Sequence, residues 1–293
     1  MSAMAATDEF QPVSRVFTSQ GLDLHYLDWG NDGAPLLLLL HGSRDHARSW
    51  DWTARALRHQ WHVIAPDLRG HGDSDWSSDG AYLTVFHALD IAVLIETLGQ
   101  RQLCIVGHSF GGGVAIRYAA IFPERVRKLV LVDGLGPSPQ VQASWDRQGP
   151  VQRTREWIDS RLAVGARAQR RFATLEEAVA RMAEANRHLS EEQARHLAVH
   201  GVRRHADGYG WKYDPRVFIF APDDFALDST AFWRAIAAPV LLCHGTESWS
   251  TNAEEDGRAA HFRDRRTVVF ENAGHWIHHD RCDAFIAALR DFL

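Results

Sequence analysis

Ser109 stands at the centre of Gly107-His108-Ser109-Phe110-Gly111, directly after the apolar run Leu103-Cys104-Ile105-Val106 and before Gly112-Gly113-Val114-Ala115-Ile116. The pattern predicts a strand, a sharp turn and a helix, with a serine at the apex of G-x-S-x-G. On so tight a turn the serine backbone is strained, and the flanking glycines let the chain bend without a clash. The strain lifts the hydroxyl above the sheet edge. The helix that starts there directs its N-terminal amides and dipole at any negative charge that develops. Such an arrangement suits nucleophilic catalysis.

A serine hydroxyl is a weak nucleophile at neutral pH and needs a base within hydrogen-bond reach. The chain carries 17 histidines, most of which belong to the surface or to structure. His275 stands apart because it follows the last predicted strand, in the loop Asn272-Ala273-Gly274, at the sheet edge that carries Ser109. His278 and His279 follow too closely to face the same way and are expected to support the base or start a helix. Zinc bound by His275, His278 and His279 fits the spacing, but no carboxylate or cysteine pattern supports it. No metal or organic cofactor is expected.

The elements that must position these residues alternate along the chain. Arg15 to Thr18 and Leu22 to Asp28 are expected as short strands. Leu36 to Leu40, five consecutive leucines, suits a parallel strand buried on both faces. A helix over Ser49 to Gln60, a strand at His62 to Ala65 and a helix from about Tyr82 to Leu98 lead to the elbow. Lys128 to Val132 forms the next strand and ends at Asp133-Gly134. This alternation predicts an α/β fold around a mostly parallel sheet.

The alternation then stops between Pro137 and Ala238, where helices are predicted instead, two of them opened by the capping patterns Thr174-x-x-Glu177 and Ser190-x-x-Gln193. The apolar stripe Leu175, Val179, Met182, Asn186 and Leu189 predicts a face packed on the rest of the protein. The pattern resumes with a strand from Pro239 to Cys243, a helix near Ala253 to Phe262, a strand from Thr267 to Phe270 and a final helix from about Arg281. One α/β core, 1–136 with 239–293, therefore carries a helical cap, 137–238. Inserted after the strand that follows the elbow, the cap overhangs the carboxyl edge where open α/β sheets bind ligands.

The composition excludes several classes. The chain has 293 residues, 45% hydrophobic and 24% charged, with a formal charge of -5, which gives no reason to expect nucleic acid or a membrane surface as partner. Three cysteines, Cys104, Cys243 and Cys282, do not make a disulfide framework and point to a reducing compartment. Met1 to Gln20 holds no apolar stretch long enough for a signal peptide, so a cytoplasmic protein is expected.

Taken together, these pieces resemble the α/β-hydrolase superfamily over nearly the whole chain, and most of all its bacterial capped serine hydrolases. The matching residues are His41-Gly42 after the third strand, Asp67-Leu68-Arg69-Gly70-His71-Gly72-Asp73-Ser74, the elbow at Ser109, the cap and Ala273-Gly274-His275. The resemblance implies Ser109 as nucleophile and His275 as general base. It further implies an oxyanion hole made by the backbone amides of Phe110 and Ser43.

The acid is open at this point. Family members usually carry an aspartate three residues after the glycine ending the strand before the last, and that position here is Ser248. Glu247 lies one residue early; Asp133 stands at the other location used by relatives, the end of the strand after the elbow, and is preferred. Arg44, Asp45 and His46 either line the entrance or orient their loop. Trp276 and the cap residues Trp145, Trp157 and Trp211 are candidates for an apolar wall, with core packing expected for at least two of the three cap tryptophans.

The implied activity is hydrolysis of a small ester, lactone or thioester bearing an apolar acyl or aryl group. Carbon–carbon bond hydrolysis and cofactor-free perhydrolysis are alternatives on the same residues. A non-catalytic ligand-binding protein on a retained hydrolase fold is the alternative of another class.

Overall fold

The computed structural model describes residues 10–165, 169–225 and 227–293. Its centre is an eight-stranded sheet. Along the chain, β1 (Val13–Ser19), β2 (Leu22–Asp28), β3 (Leu36–Leu40), β4 (His62–Pro66), β5 (Leu103–His108) and β6 (Val126–Val132) come first. The short pair β7 (Val202–His205) and β8 (Gly208–Trp211) lies in the cap, and β9 (Val240–Gly245) and β10 (Arg265–Phe270) complete the sheet. In space the order is β1-β2-β4-β3-β5-β6-β9-β10, antiparallel at the β1 edge and parallel from β4 onward.

The five leucines of β3 show why the run needs no polar alternation. Leu36, Leu38 and Leu40 enter one core cluster, while Leu37 and Leu39 enter the other, on the opposite face. Helices α2 (Thr84–Thr97) and α3 (Phe110–Ile121) cover the first face with Ile91, Leu94 and Val114. On the second face, α1 (Asp51–Leu57) supplies Leu57, and Phe285 and Leu289 come from the C-terminal helix. Each such leucine contributes about 1.5–3 kcal/mol by leaving water.

Between β6 and β9 the chain forms α4 (Pro139–Gln148), α5 (Pro150–Gly165), α6 (Leu175–Ala185), α7 (Glu191–Gly201), the β7–β8 hairpin and α8 (Ser229–Ala235). Both expected caps form: Thr174 accepts from the Glu177 amide, and Ser190 with Gln193 makes a reciprocal capping box. The hairpin departs from the all-helical expectation. It is held by a small cluster in which Phe172 and Trp211 meet edge to face, and aromatic residues on short extended segments suit that pairing. Although α8 falls within 137–238, it buries Trp233 with Ile236 in the core cluster beside α3. This helix therefore packs with the α/β core rather than with the rest of the inserted segment.

The helix expected near Ala253 to Phe262 is reduced to a single 3-10 turn, Arg258–His261. Gly257 at φ 85° interrupts the segment, and the buried Arg258 guanidinium ties it to the carbonyls of Gly136 and Thr251. The chain closes with α9 (Ile277–Asp280) and α10 (Cys282–Phe292). The cap is pinned to the loops at the carboxyl edge: His46 Nε2 to the Leu197 carbonyl at 3.0 Å, Tyr82 to Asp214 at 2.7 Å, and Gln193 to the His279 carbonyl at 2.9 Å.

Candidate active site

Ser109 sits between β5 and α3 with φ 50° and ψ -117°, a backbone that L-residues rarely adopt. The turn closes only because its neighbours lack side chains. A Cβ on Gly107 would stand 2.6 Å from the Gly111 carbonyl oxygen, and one on Gly111 would stand 2.4 Å from that of His41. The Ser109 amide donates to the Val132 carbonyl at 2.9 Å and fixes the elbow against β6.

Asp133 follows β6 directly and is itself held at φ 46°. In the parallel register Val132 pairs with Cys243, so the next residues, Asp133 and His244, come side by side at the carboxyl edge. Asp133 Oδ2 lies 3.2 Å from His275 Nδ1, and Oδ1 lies 3.2 Å from His244 Nδ1. Ser248, at the position where the family pattern carries an aspartate, also favours the ionised form of this carboxylate. Burial alone would push the Asp133 carboxyl up, but His244, His275 and Ser248 outweigh it and hold the group well below the usual carboxylate range.

With an ionised carboxylate on Nδ1, the His275 tautomer carries its proton there, leaving the Nε2 lone pair available as a base. A direct bond from Ser109 Oγ to His275 is not among those formed by the described residues; such contacts often tighten only when substrate binds. The exposed Trp249 indole lies against the His275 ring, centroids 4.5 Å apart. Glu247, the other acid considered from sequence, turns instead to Arg187 and His188 of the cap.

The Gly42–Ser43 peptide is set by His41. The Leu68 amide donates to His41 Nε2 at 3.0 Å, so Nδ1 carries the proton and donates to the Gly42 carbonyl at 2.7 Å. Burial pushes His41 down to about 3, which keeps it neutral in that tautomer. Carbonyl and N–H point to opposite sides of a trans peptide, so the Ser43 N–H faces away from His41. Gly42 itself lies against the elbow, where an added Cβ would stand 3.3 Å from Ser109 Cβ. Phe110 is the first residue of α3, so its amide has no acceptor within the helix. These two amides are the candidates for holding a developing oxyanion.

Around this centre the loop Arg44-Asp45-His46 divides its duties. Arg44 is exposed and stacks on Phe218 of the cap at 3.9 Å. Asp45 is buried and accepts from the His46 amide and Ser49 Oγ, while His46 fastens the cap. Trp276 lies between His108 and His279. Trp145 and Trp157 line a cap cavity of about 290 Å³ together with Arg153, Phe218, Phe220 and Pro222. Phe220 of that lining also packs on Phe110, with ring centroids 5.7 Å apart. Trp211 packs inside the cap instead. His278 and His279 form part of α9 and are buried.

Sequence reasoning missed His244, His108 and Trp249. His244 carried a usable signal, because it is the penultimate residue of a strand that must lie beside β6. His108 Nε2 donates to the His275 carbonyl at 3.0 Å, a contact no local pattern announces. No helix among the described residues is long and apolar enough to cross a membrane.

The comparisons with known proteins agree with this fold. A family model described as alpha/beta hydrolase fold matches residues 35–281. The esterase Rv0045c of Mycobacterium tuberculosis is 31% identical, the match covering 96% of this chain and 90% of the relative. Lipase LipV of the same organism is 32% identical over 75% of this chain and 74% of its own. Among solved structures, E-2-(acetamidomethylene)succinate hydrolase superposes with a TM-score of 0.80 at 23% identity, covering 96% of this chain and 99% of that one.

Proposed function

The chain belongs to the α/β-hydrolase fold family and is a hydrolase, and from that premise we propose that it is a serine hydrolase cleaving a small carboxylic ester, lactone or thioester. The observation that carries this reading is the contact between His275 Nδ1 and an ionised Asp133, at the edge where Ser109 occupies a strained elbow.

Ser109 Oγ attacks the acyl carbon as its proton passes to His275 Nε2. Asp133 stabilises the imidazolium without taking the proton. The carbonyl oxygen, now an oxyanion, accepts hydrogen bonds from the Ser43 and Phe110 amides, each typically worth about 3 kcal/mol in the transition state. Collapse expels the alcohol or thiol, protonated by His275, and leaves an acyl-serine. A water deprotonated by His275 then attacks, and the acid departs as Ser109 recovers its proton. Trp145, Trp157 and Phe220 favour an apolar acyl or aryl group in the cap cavity.

The test is intact mass after brief exposure to a fluorophosphonate probe, with Ser109→Ala alongside. The reading expects one stoichiometric adduct on the native protein and none on the variant. It further expects turnover of short aryl esters to fall by at least about 10³-fold with an unchanged melting temperature. An unlabelled, folded native protein would put a non-catalytic binding role in its place.

A further inference from the structure

Asp45, His108 and His278 come from three separate places: the loop after β3, the end of β5 and α9. Their ligand-capable atoms lie within 4.8 Å of one another, and all three residues are at most 4% exposed. Because His108 donates through Nε2 to the His275 carbonyl, its Nδ1 carries a lone pair, and that atom has no hydrogen-bond partner among the described residues. Gly42 packs directly against it: a Cβ there would stand 2.7 Å from His108 Nδ1.

The other two ligands complete the set. Ser49 Oγ donates to Asp45 Oδ2 at 2.8 Å, so it can only accept from His278 Nε2 and His279 Nε2, each 3.3 Å away. His278 Nδ1 is then a second buried lone pair without a partner. Among the described residues, the two other constellations of this kind are already committed: His25 spends both nitrogens on Ser14 and Asp67, and Asp28 is paired with Arg15 and His62.

We propose that Asp45, His108 and His278 form a binding site for a divalent transition cation of the zinc, nickel or copper class, and that loading it suppresses turnover at Ser109. Two imidazoles and one carboxylate suit these ions and not magnesium or calcium. Bonds of 2.0–2.2 Å in a tetrahedral site place ligand atoms about 3.4 Å apart, so loading draws these side chains inward by about 1 Å. His108 is joined covalently to Ser109 and by hydrogen bond to the His275 carbonyl, so both reacting groups shift with it. All three side chains are buried, so the ion is not expected to compete with substrate for an open surface. Loading therefore lowers kcat and leaves KM in place. Only this activity arm rests on the hydrolase reading; the binding arm stands apart from it.

The experiment titrates Co²⁺ and Zn²⁺ into tag-free protein, following the visible d–d absorption of cobalt and the heat of zinc binding. His278→Phe keeps the stacking on Trp50, and Asp45→Asn keeps an acceptor for Ser49; circular dichroism confirms that each variant is folded. The proposal expects one tight equivalent whose affinity falls at least about tenfold in each variant. It also expects zinc to depress ester turnover of the native protein and to spare that of a folded His278→Phe. Absence of a stoichiometric equivalent, or an equivalent that both variants retain, overturns it. If cobalt binds as expected while no ester is turned over, the site stands and the hydrolase reading fails.

Discussion

Beneath Ser109 the chain buries polar groups densely: His41, Asp45, Asp67, His71, His108, His278 and His279 are almost free of solvent. In the cap above it, helices α4 and α5 bury no residue at all, and α6 buries only Ala178. Polar groups in a dry floor have single solutions, because each donor needs its acceptor and errors are costly. Half-buried helices resting on a few ties have many arrangements of similar energy. The difference is one of constraint: the floor is fixed by densely buried polar groups, while α4, α5 and α6 rest on few buried contacts.

The largest effect should come from the floor. Asp133→Asn fits the same left-handed backbone but no longer stabilises an imidazolium, so kcat is expected to drop about 10³–10⁴-fold. Glu247→Gln, which loses only cap partners, should stay within about twofold by the same steady-state assay. Equal losses in the two variants would erase the distinction between the regions.

Acid sharpens the contrast next. Burial pushes His41 and His279 down to about 3 and His71 to about 4, and holds His87, His108 and His278 well below their ordinary value. In the unfolded chain the same groups titrate near 6.5. Below that pH the unfolded state binds more protons, so stability is full above about 6.5 and declines as pH falls toward 4. Each histidine contributes up to about 1.4 kcal/mol per pH unit across that window. Asp133, whose folded value is depressed, adds its loss only below about pH 4. Urea unfolding at pH 7.5, 6.0 and 5.0 should show a steep fall in midpoint; a flat profile would show that water reaches the floor.

The smallest effects belong to the cap. Trp157→Ala enlarges a cavity bounded by exposed helices, so the melting temperature should move by no more than about 2 °C. The preference among acyl chain lengths should shift by about 5- to 30-fold, equivalent to about 1–2 kcal/mol, while turnover of the shortest ester is retained. A loss of all activity would mean that the cap, too, positions reacting groups.

The elbow at Ser109 was legible in the sequence because it is a local device: its glycines, strand and helix are consecutive, and steric exclusion dictates the bend. The five leucines of β3 likewise announced a strand with two covered faces. The segment from Ala253 to Phe262 misled, since its helical composition was overridden by Gly257 and by the distant carbonyls that Arg258 holds. Which acid meets His275 was undecidable from local pattern, because Asp133 and His275 are 142 residues apart and their contact depends on the register of β6 against β9. The sequence by itself determined the parallel sheet, the elbow, the insertion and the residues able to do chemistry. Only the tertiary structure decided that Glu247 turns to Arg187 and His188, that His244 and His275 share the Asp133 carboxylate, and that Ser49 joins Asp45 to the histidines of α9. The physical reason is that such contacts are fixed by non-local burial and strand register, summed over the whole core, whereas turns and strands follow from the sterics of neighbouring residues.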